Sequence, residues 1–128
     1  MESALWHPLQ ALADLLTLKE TLGDLRGKEL AVTWVHSPTP ASPSVVHSLL
    51  QGALRAGMHV RLAHPGGFEL DGGVLSECEE LARASGGRLE RRTSCEEAVR
   101  GARVVYARSW TSLEHYGNPT LSASQRAR

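Results

Sequence analysis

Leu30-Ala31-Val32-Thr33-Trp34-Val35 is an apolar run with a single interruption at Thr33, and most of its residues are β-branched or aromatic. A run of this length and composition reads as a strand covered on both faces, as in a parallel sheet. His36-Ser37-Pro38-Thr39-Pro40-Ala41-Ser42-Pro43 follows at once. Its three prolines remove backbone donors and stiffen the segment, so it reads as a rigid loop between a strand and a helix. The helix is expected over Ser44–Ala56, with Val45, Val46, Leu49, Leu50, Ala53 and Leu54 inward and Gly57 as its stop.

The same alternation continues outward from this unit. His59–Ala63 alternates as a second strand, and His64-Pro65-Gly66-Gly67 is a turn. Val74–Ala84 carries Val74, Leu75, Cys78, Leu81 and Ala82 on one helical face, stopped by Gly86-Gly87. Arg88–Arg92 reads as a short edge strand. Ser94 caps a short helix, Cys95–Arg100, with Glu96 and Glu97 in its first turn, where the dipole favours them. Val104-Val105-Tyr106-Ala107 is a fourth strand. Short connections between alternating strands and helices predict an α/β fold, a Rossmann-like parallel sheet flanked by helices with right-handed crossovers. Ligands of such sheets bind beyond the carboxyl ends of the strands. The segments expected there are 36–43, 64–67, Thr93-Ser94 and 108–118. No G-x-G-x-x-G follows a strand and no Walker A motif is present in residues 1–128, so nucleotide binding has little local support.

Before the first strand lies a helix expected over Pro8–Leu22. It is opened by His7-Pro8-Leu9-Gln10 and stopped by Gly23. Leu5, Leu9, Leu12 and Leu16 form one stripe, and Leu15, Leu18 and Leu22 its neighbour, so burial is expected on more than one side. His7 and Gln10 sit where free backbone N–H groups and the positive end of the helix dipole point outward. There a neutral His7 is suited to donate to a carbonyl oxygen, and the Gln10 amide oxygen to accept from an amine.

Composition narrows the function classes. Lys plus Arg and Asp plus Glu number 14 each, so the net charge is zero and nothing favours nucleic acid or an anionic membrane. No apolar run approaches the roughly 20 residues of a membrane span. Cys78 and Cys95 are too few and too far apart for a metal motif or a disulfide framework. His36, His47, His59, His64 and His115 show no metal-ligand spacing. No metal and no cofactor are expected, and the reduced thiols suggest a cytoplasmic setting.

His7-Pro8-Leu9-Gln10 followed by Ala11-Leu12-Ala13-Asp14 resembles the aspartate/ornithine carbamoyltransferase family. In that family His-Pro-x-Gln opens the helix linking two domains and holds the carbamoyl group of carbamoyl phosphate. The resemblance implies a catalytic role for His7 and Gln10. A strand followed by a proline-rich loop, here Thr33 to Pro40, looks most like the N-acetylornithine and N-succinylornithine carbamoyltransferases, whose backbone is knotted through that loop. Ordinary ornithine carbamoyltransferases carry an Asn-rich segment there, which binds the amino acid. His36, Pro38 and Pro40 are implied substrate-side residues. Val104-Val105-Tyr106-Ala107-Arg108-Ser109-Trp110 resembles Asp-Val-Val-Tyr-x-Lys-Ser-Trp, in which the lysine reaches the amino acid. Arg103 stands for the acid and Arg108 for the lysine, which keeps the charge and alters its shape. Arg108, Ser109 and Trp110 are implied to bind substrate. Glu2 occupies the approximate place of a substrate-contacting glutamate, one residue further from His7. Trp6 walls the pocket or simply packs.

The resemblance covers about residues 1–119 and implies the amino-acid-binding domain of a transferase. Its reaction moves a carbamoyl group from carbamoyl phosphate to the amine of ornithine or an acylated ornithine, in a whole protein that is a homotrimer. The family's Ser-x-Arg-Thr and His-Cys-Leu-Pro motifs do not occur in residues 1–128. The chain is therefore expected to be a C-terminally incomplete piece of such an enzyme, inactive alone, with a disordered tail over 120–128. Trp110 is expected close to the proline-rich loop, and any knot shallow or absent. The alternative is a non-catalytic α/β small-molecule-binding module using the same strand-end crevice.

Overall fold

The computed structural model describes residues 3, 5–39 and 41–111. In chain order these form α1 (Pro8–Leu22), β1 (Glu29–Trp34), α2 (Ser44–Arg55), β2 (His59–Ala63), α3 (Gly72–Ser85), β3 (Arg88–Arg92), α4 (Cys95–Val99) and β4 (Val104–Arg108). The four strands make one sheet in the order β3-β2-β1-β4. Every neighbouring pair is parallel, with Val32 level with Leu62 on one side and Tyr106 on the other. The α/β class and the parallel sheet agree with the expectation from alternation.

The pleat sorts the side chains into two layers. Leu30 and Val32 of β1 and Val60 and Leu62 of β2 join the core beneath α2. The intervening Arg61 points the other way. Its guanidinium donates to the carbonyls of Glu97, Ala98 and Arg100 at the end of α4 and pairs with Glu29. Helices α1, α2 and α3 thus line up on one face while α4 crosses the other, as right-handed crossovers require when the chain reverses direction across the sheet. Helix α2 is flanked by α1, α3 and the sheet, and every residue from Ser44 to Leu50 is buried.

Local chemistry explains the ends. Pro8 opens α1, and Gly23, at φ 76°, closes it with its N–H on the Lys19 carbonyl. α3 begins two residues before Val74 because the Asp71 carboxylate accepts from the Val74 N–H at 2.9 Å. Ser94 caps α4 as expected. β4 runs one residue further than the alternation indicated, through Arg108, because Trp34 of β1 lies level with it.

Helix α1 buries only one of its two apolar stripes among the described residues. Leu15, Leu18 and Leu22 pack against the core. Leu9, Leu12 and Leu16 remain 62%, 64% and 55% exposed. The close side is set by Gly52 of α2, where a side chain would strike Leu15.

Candidate functional site

β1 lies between β2 and β4, where the strand order reverses, and open α/β sheets form a crevice at their carboxyl edge beside such a reversal. The segment after β4 roofs the end of β1. Val35 N–H donates to the Arg108 carbonyl at 3.1 Å. The Trp34 indole N–H donates to the Trp110 carbonyl, and the Trp110 indole N–H to the Phe68 carbonyl, each at 2.8 Å. Thr111 then reaches the proline-rich loop twice, donating to the Ala41 carbonyl through its N–H at 2.9 Å and its hydroxyl at 3.1 Å. Phe68 packs against Trp34 with ring centroids 4.6 Å apart, and His64 lies edge-on to Trp110. The indoles bury large apolar surfaces while both N–H groups are satisfied, so the roof is fixed in one geometry.

Trp110 is therefore near the proline-rich loop, as expected, but its own side chain is wholly enclosed. It offers no surface to a ligand among the described residues and acts as a strut beneath the crevice. Arg108 and Ser109 are half-buried, and Arg108 Nε and Ser109 Oγ are buried without a partner among the described residues. His36 and Pro38 are exposed at the start of the loop, with the His36 ring edge-on to Trp34 at 6.2 Å. Glu2 and Pro40 lie outside the described residues, as do 112–128, which include His115, the expected tail and any crossing of a knot.

The second part of the site is the start of α1. His7 is half-buried and its N–H donates to Ser48 Oγ at 2.9 Å. Gln10 is exposed one turn along, and its amide nitrogen donates to Asp14 Oδ1 at 2.9 Å. The other oxygen of Asp14 accepts from the Tyr106 hydroxyl at 2.8 Å. Burial, together with this bond to a carboxylate, pushes the Tyr106 hydroxyl up to about 12, against a weaker opposing effect of Arg108. Tyr106 and Arg108 share one face of β4, so a polar line runs from Gln10 through Asp14 and Tyr106 toward Arg108. Two sequence motifs 92 residues apart meet at the Tyr106–Asp14 bond. Trp6 is half-buried, with its ring edge-on to His47.

A separate groove of about 510 Å³ lies between α1 and α2, lined by Trp6, Ala11, Leu12, Leu15, Ser48 and Gly52 among others. It is mostly apolar, with Gln51 and Arg55 among its lining, and is not lined by His7, Gln10 or Arg108. Among the described residues no group of His, Cys, Asp and Glu is arranged to hold a metal ion. No helix among them is long and apolar enough to cross a membrane.

The model of the aspartate/ornithine carbamoyltransferase Asp/Orn-binding domain matches residues 28–127. The chain belongs to the aspartate/ornithine carbamoyltransferase family. YgeW of Escherichia coli strain K12 is 43% identical over 108 residues, covering 81% of this chain and 27% of that protein. The N-acetylornithine carbamoyltransferase of Xanthomonas campestris pv. campestris is 40% identical over 115 residues, covering 88% of this chain and 34% of the relative. Among solved structures, a mutant N-acetyl-L-ornithine transcarbamylase complexed with carbamyl phosphate and N-succinyl-L-norvaline superposes with a TM-score of 0.89 at 38% identity. The superposition covers 99% of this chain and 39% of that one. The chain thus spans between about a quarter and two fifths of the length of these family members. The His7–Gln10 motif precedes the matched 28–127 span, while the superposition takes it in.

The residues that sequence reasoning missed are His47, Asp14, Tyr106 and Phe68. Asp14 and Tyr106 stood inside the quoted motifs without assigned roles. His47 is buried on a side of α2 that no apolar periodicity marks, because α2 is covered all round at its amino end.

Proposed function

We propose that this domain supplies the acceptor side of a carbamoyl transfer. The amine of an ornithine-type amino acid attacks the carbonyl carbon of carbamoyl phosphate, the C–O bond to phosphate breaks, the amine gives up a proton, and an N-carbamoyl product remains. His7 and Gln10, at the dipole-positive start of α1, hold the carbamoyl group. With its amide nitrogen committed to Asp14, Gln10 keeps its oxygen for an amine N–H. Arg108 and Ser109 receive the amino acid. A guanidinium binds a carboxylate through two parallel hydrogen bonds where the family lysine offers a single point charge. His36, Pro38 and, by the resemblance, Pro40 and Glu2 line the acceptor side, which favours an acylated ornithine over free ornithine. Trp110 contributes by holding the floor. The trimer and the cytoplasmic setting belong to the same reading of the whole protein.

The observation that carries this reading is the docking of Ser109–Thr111 across the end of β1 onto Ala41 of the proline-rich loop. It sets Arg108 and Ser109 beside the loop in which acyl-specific relatives differ from ordinary ones. The test is an NMR titration of the 128-residue chain with N-acetylornithine, with ornithine and with carbamoyl phosphate. N-acetylornithine is expected to shift the Arg108 and Ser109 amides more strongly than ornithine does, and carbamoyl phosphate to shift those of His7 and Gln10. Equal or stronger response to ornithine defeats the acyl preference. No response to carbamoyl phosphate at α1, with amino-acid binding retained, favours the non-catalytic binding module. The chain alone is expected to form no citrulline-type product, since its 128 residues carry no Ser-x-Arg-Thr phosphate grip. Colorimetric product above a protein-free blank would contradict that.

A further inference from the structure

Two consecutive residues of α2 hold the segment that leads into α1. Nδ1 of His47 lies 3.0 Å from the Leu5 carbonyl oxygen, and Ser48 Oγ accepts from the His7 N–H at 2.9 Å. Both are buried, His47 completely. Nε2 of His47 accepts from the Asp71 N–H at 3.3 Å. A ring nitrogen that accepts carries no proton, so the imidazole is neutral and Nδ1–H is the donor to Leu5. Trp6, between the two anchored residues, sets its ring edge-on to His47 with centroids 6.2 Å apart. The carbonyl of Leu5, the ring of Trp6 and the amide of His7 are therefore all docked on one turn of α2. His7 is the N-cap residue of α1, so this docking sets where the helix starts.

We propose that His47 and Ser48 are positioning residues for His7 and Gln10: they fix the entry into α1, and through it the direction in which the carbamoyl-holding pair faces the crevice. This rests on the roles given to His7 and Gln10 above. A purely structural role for the two α2 residues would stabilise the fold without any local effect at His7. The positioning role requires that loss of one anchor disturb His7 while the sheet stays intact.

The experiment is NMR on the ¹⁵N-labelled 128-residue chain and three variants, Ser48→Ala, Ser48→Thr and His47→Asn. In the unsubstituted chain His47 should show the Nδ1–H tautomer at neutral pH. Ser48→Ala should speed hydrogen exchange of the His7 amide roughly tenfold, the loss of about one hydrogen bond. It should also move the His7 imidazole signals while those of His59 and His64 stay in place. Ser48→Thr, which keeps the hydroxyl, should restore both. His47→Asn keeps a donor for Leu5 and loses the acceptor for Asp71, so it should free the Asp71 amide and leave Leu5–His7 ordered. If the His7 imidazole and amide are unchanged in Ser48→Ala, or if Ser48→Thr behaves as Ser48→Ala does, the proposal is overturned. Carbamoyl phosphate leaving His7 unmoved in the unsubstituted chain, with the anchors behaving as stated, overturns the catalytic reading and not the positioning.

Discussion

His47 shows how much one residue can carry that patterning does not announce. Its ring joins the lead-in segment, α2 and the cap of α3, and burial holds its pKa below the ordinary imidazole value of 6.5. The Leu5 carbonyl and the Asp71 carboxylate, which oppose that shift, are the weaker influences. Below pH 6.5 the unfolded chain therefore binds a proton that the folded ring resists, and stability must fall as the pH drops through that range. Urea melts at about pH 7.5 and about pH 5.5 should show this loss, and the loss should shrink in His47→Asn. Tyr106 has the opposite sign of dependence. Its folded pKa of about 12 lies above the ordinary 10, so its contribution is complete below pH 10 and disappears between 10 and 12. Tyr106→Phe should flatten alkaline unfolding in that window and cost about 1 kcal/mol at neutral pH, the worth of one hydrogen bond. A Phe variant with an unchanged alkaline limb would show that Asp14 does not hold the hydroxyl.

At the scale of elements, contacts between backbones are least tolerant. A Cβ on Gly87 would lie 2.7 Å from the Met58 carbonyl oxygen, where β3 enters beside β2. Gly87→Ala should cost about 1–3 kcal/mol by overpacking, read as a lower urea midpoint with unchanged slope. Gly52 is more forgiving, because the atom in its way is the end of the flexible Leu15 side chain. Element order and most boundaries were legible in the sequence. Pro8 opens α1 by its own covalent geometry, and Ser94 caps α4 with its hydroxyl. The Asp71 cap lies ahead of the helix expected over Val74–Ala84, because apolar periodicity begins only at Val74 while Gly72 and Gly73 already lie within α3. The enclosure of Trp110 was not legible at all. It depends on a carbonyl of Phe68 from another loop, and nothing local to Arg108-Ser109-Trp110 distinguishes a pocket wall from a strut.

The whole molecule presents two very different sides. One edge of the sheet, β3, is Arg-Leu-Glu-Arg-Arg, with Glu79 and Glu90 paired to its arginines, and such a charged edge resists strand addition. The outer side of α1 exposes Leu9, Leu12 and Leu16 along one line. Apolar surface gathered in this way favours association in water. Sedimentation of the 128-residue chain should show concentration-dependent association that Leu9→Gln, Leu12→Gln and Leu16→Gln together suppress. A monomer that the triple substitution leaves unchanged would refute this. The roof over β1 also bears on the time course of folding. The Trp34–Trp110 bond joins residues 76 apart in the chain, and the Thr111–Ala41 bond residues 70 apart. Neither can form until the intervening strands have assembled and β4 has found β1, because closing so long a span yields nothing before its ends meet. The shielding of the Trp110 indole from water is thus the latch of the whole assembly. In a refolding experiment it marks the moment at which the molecule is finished.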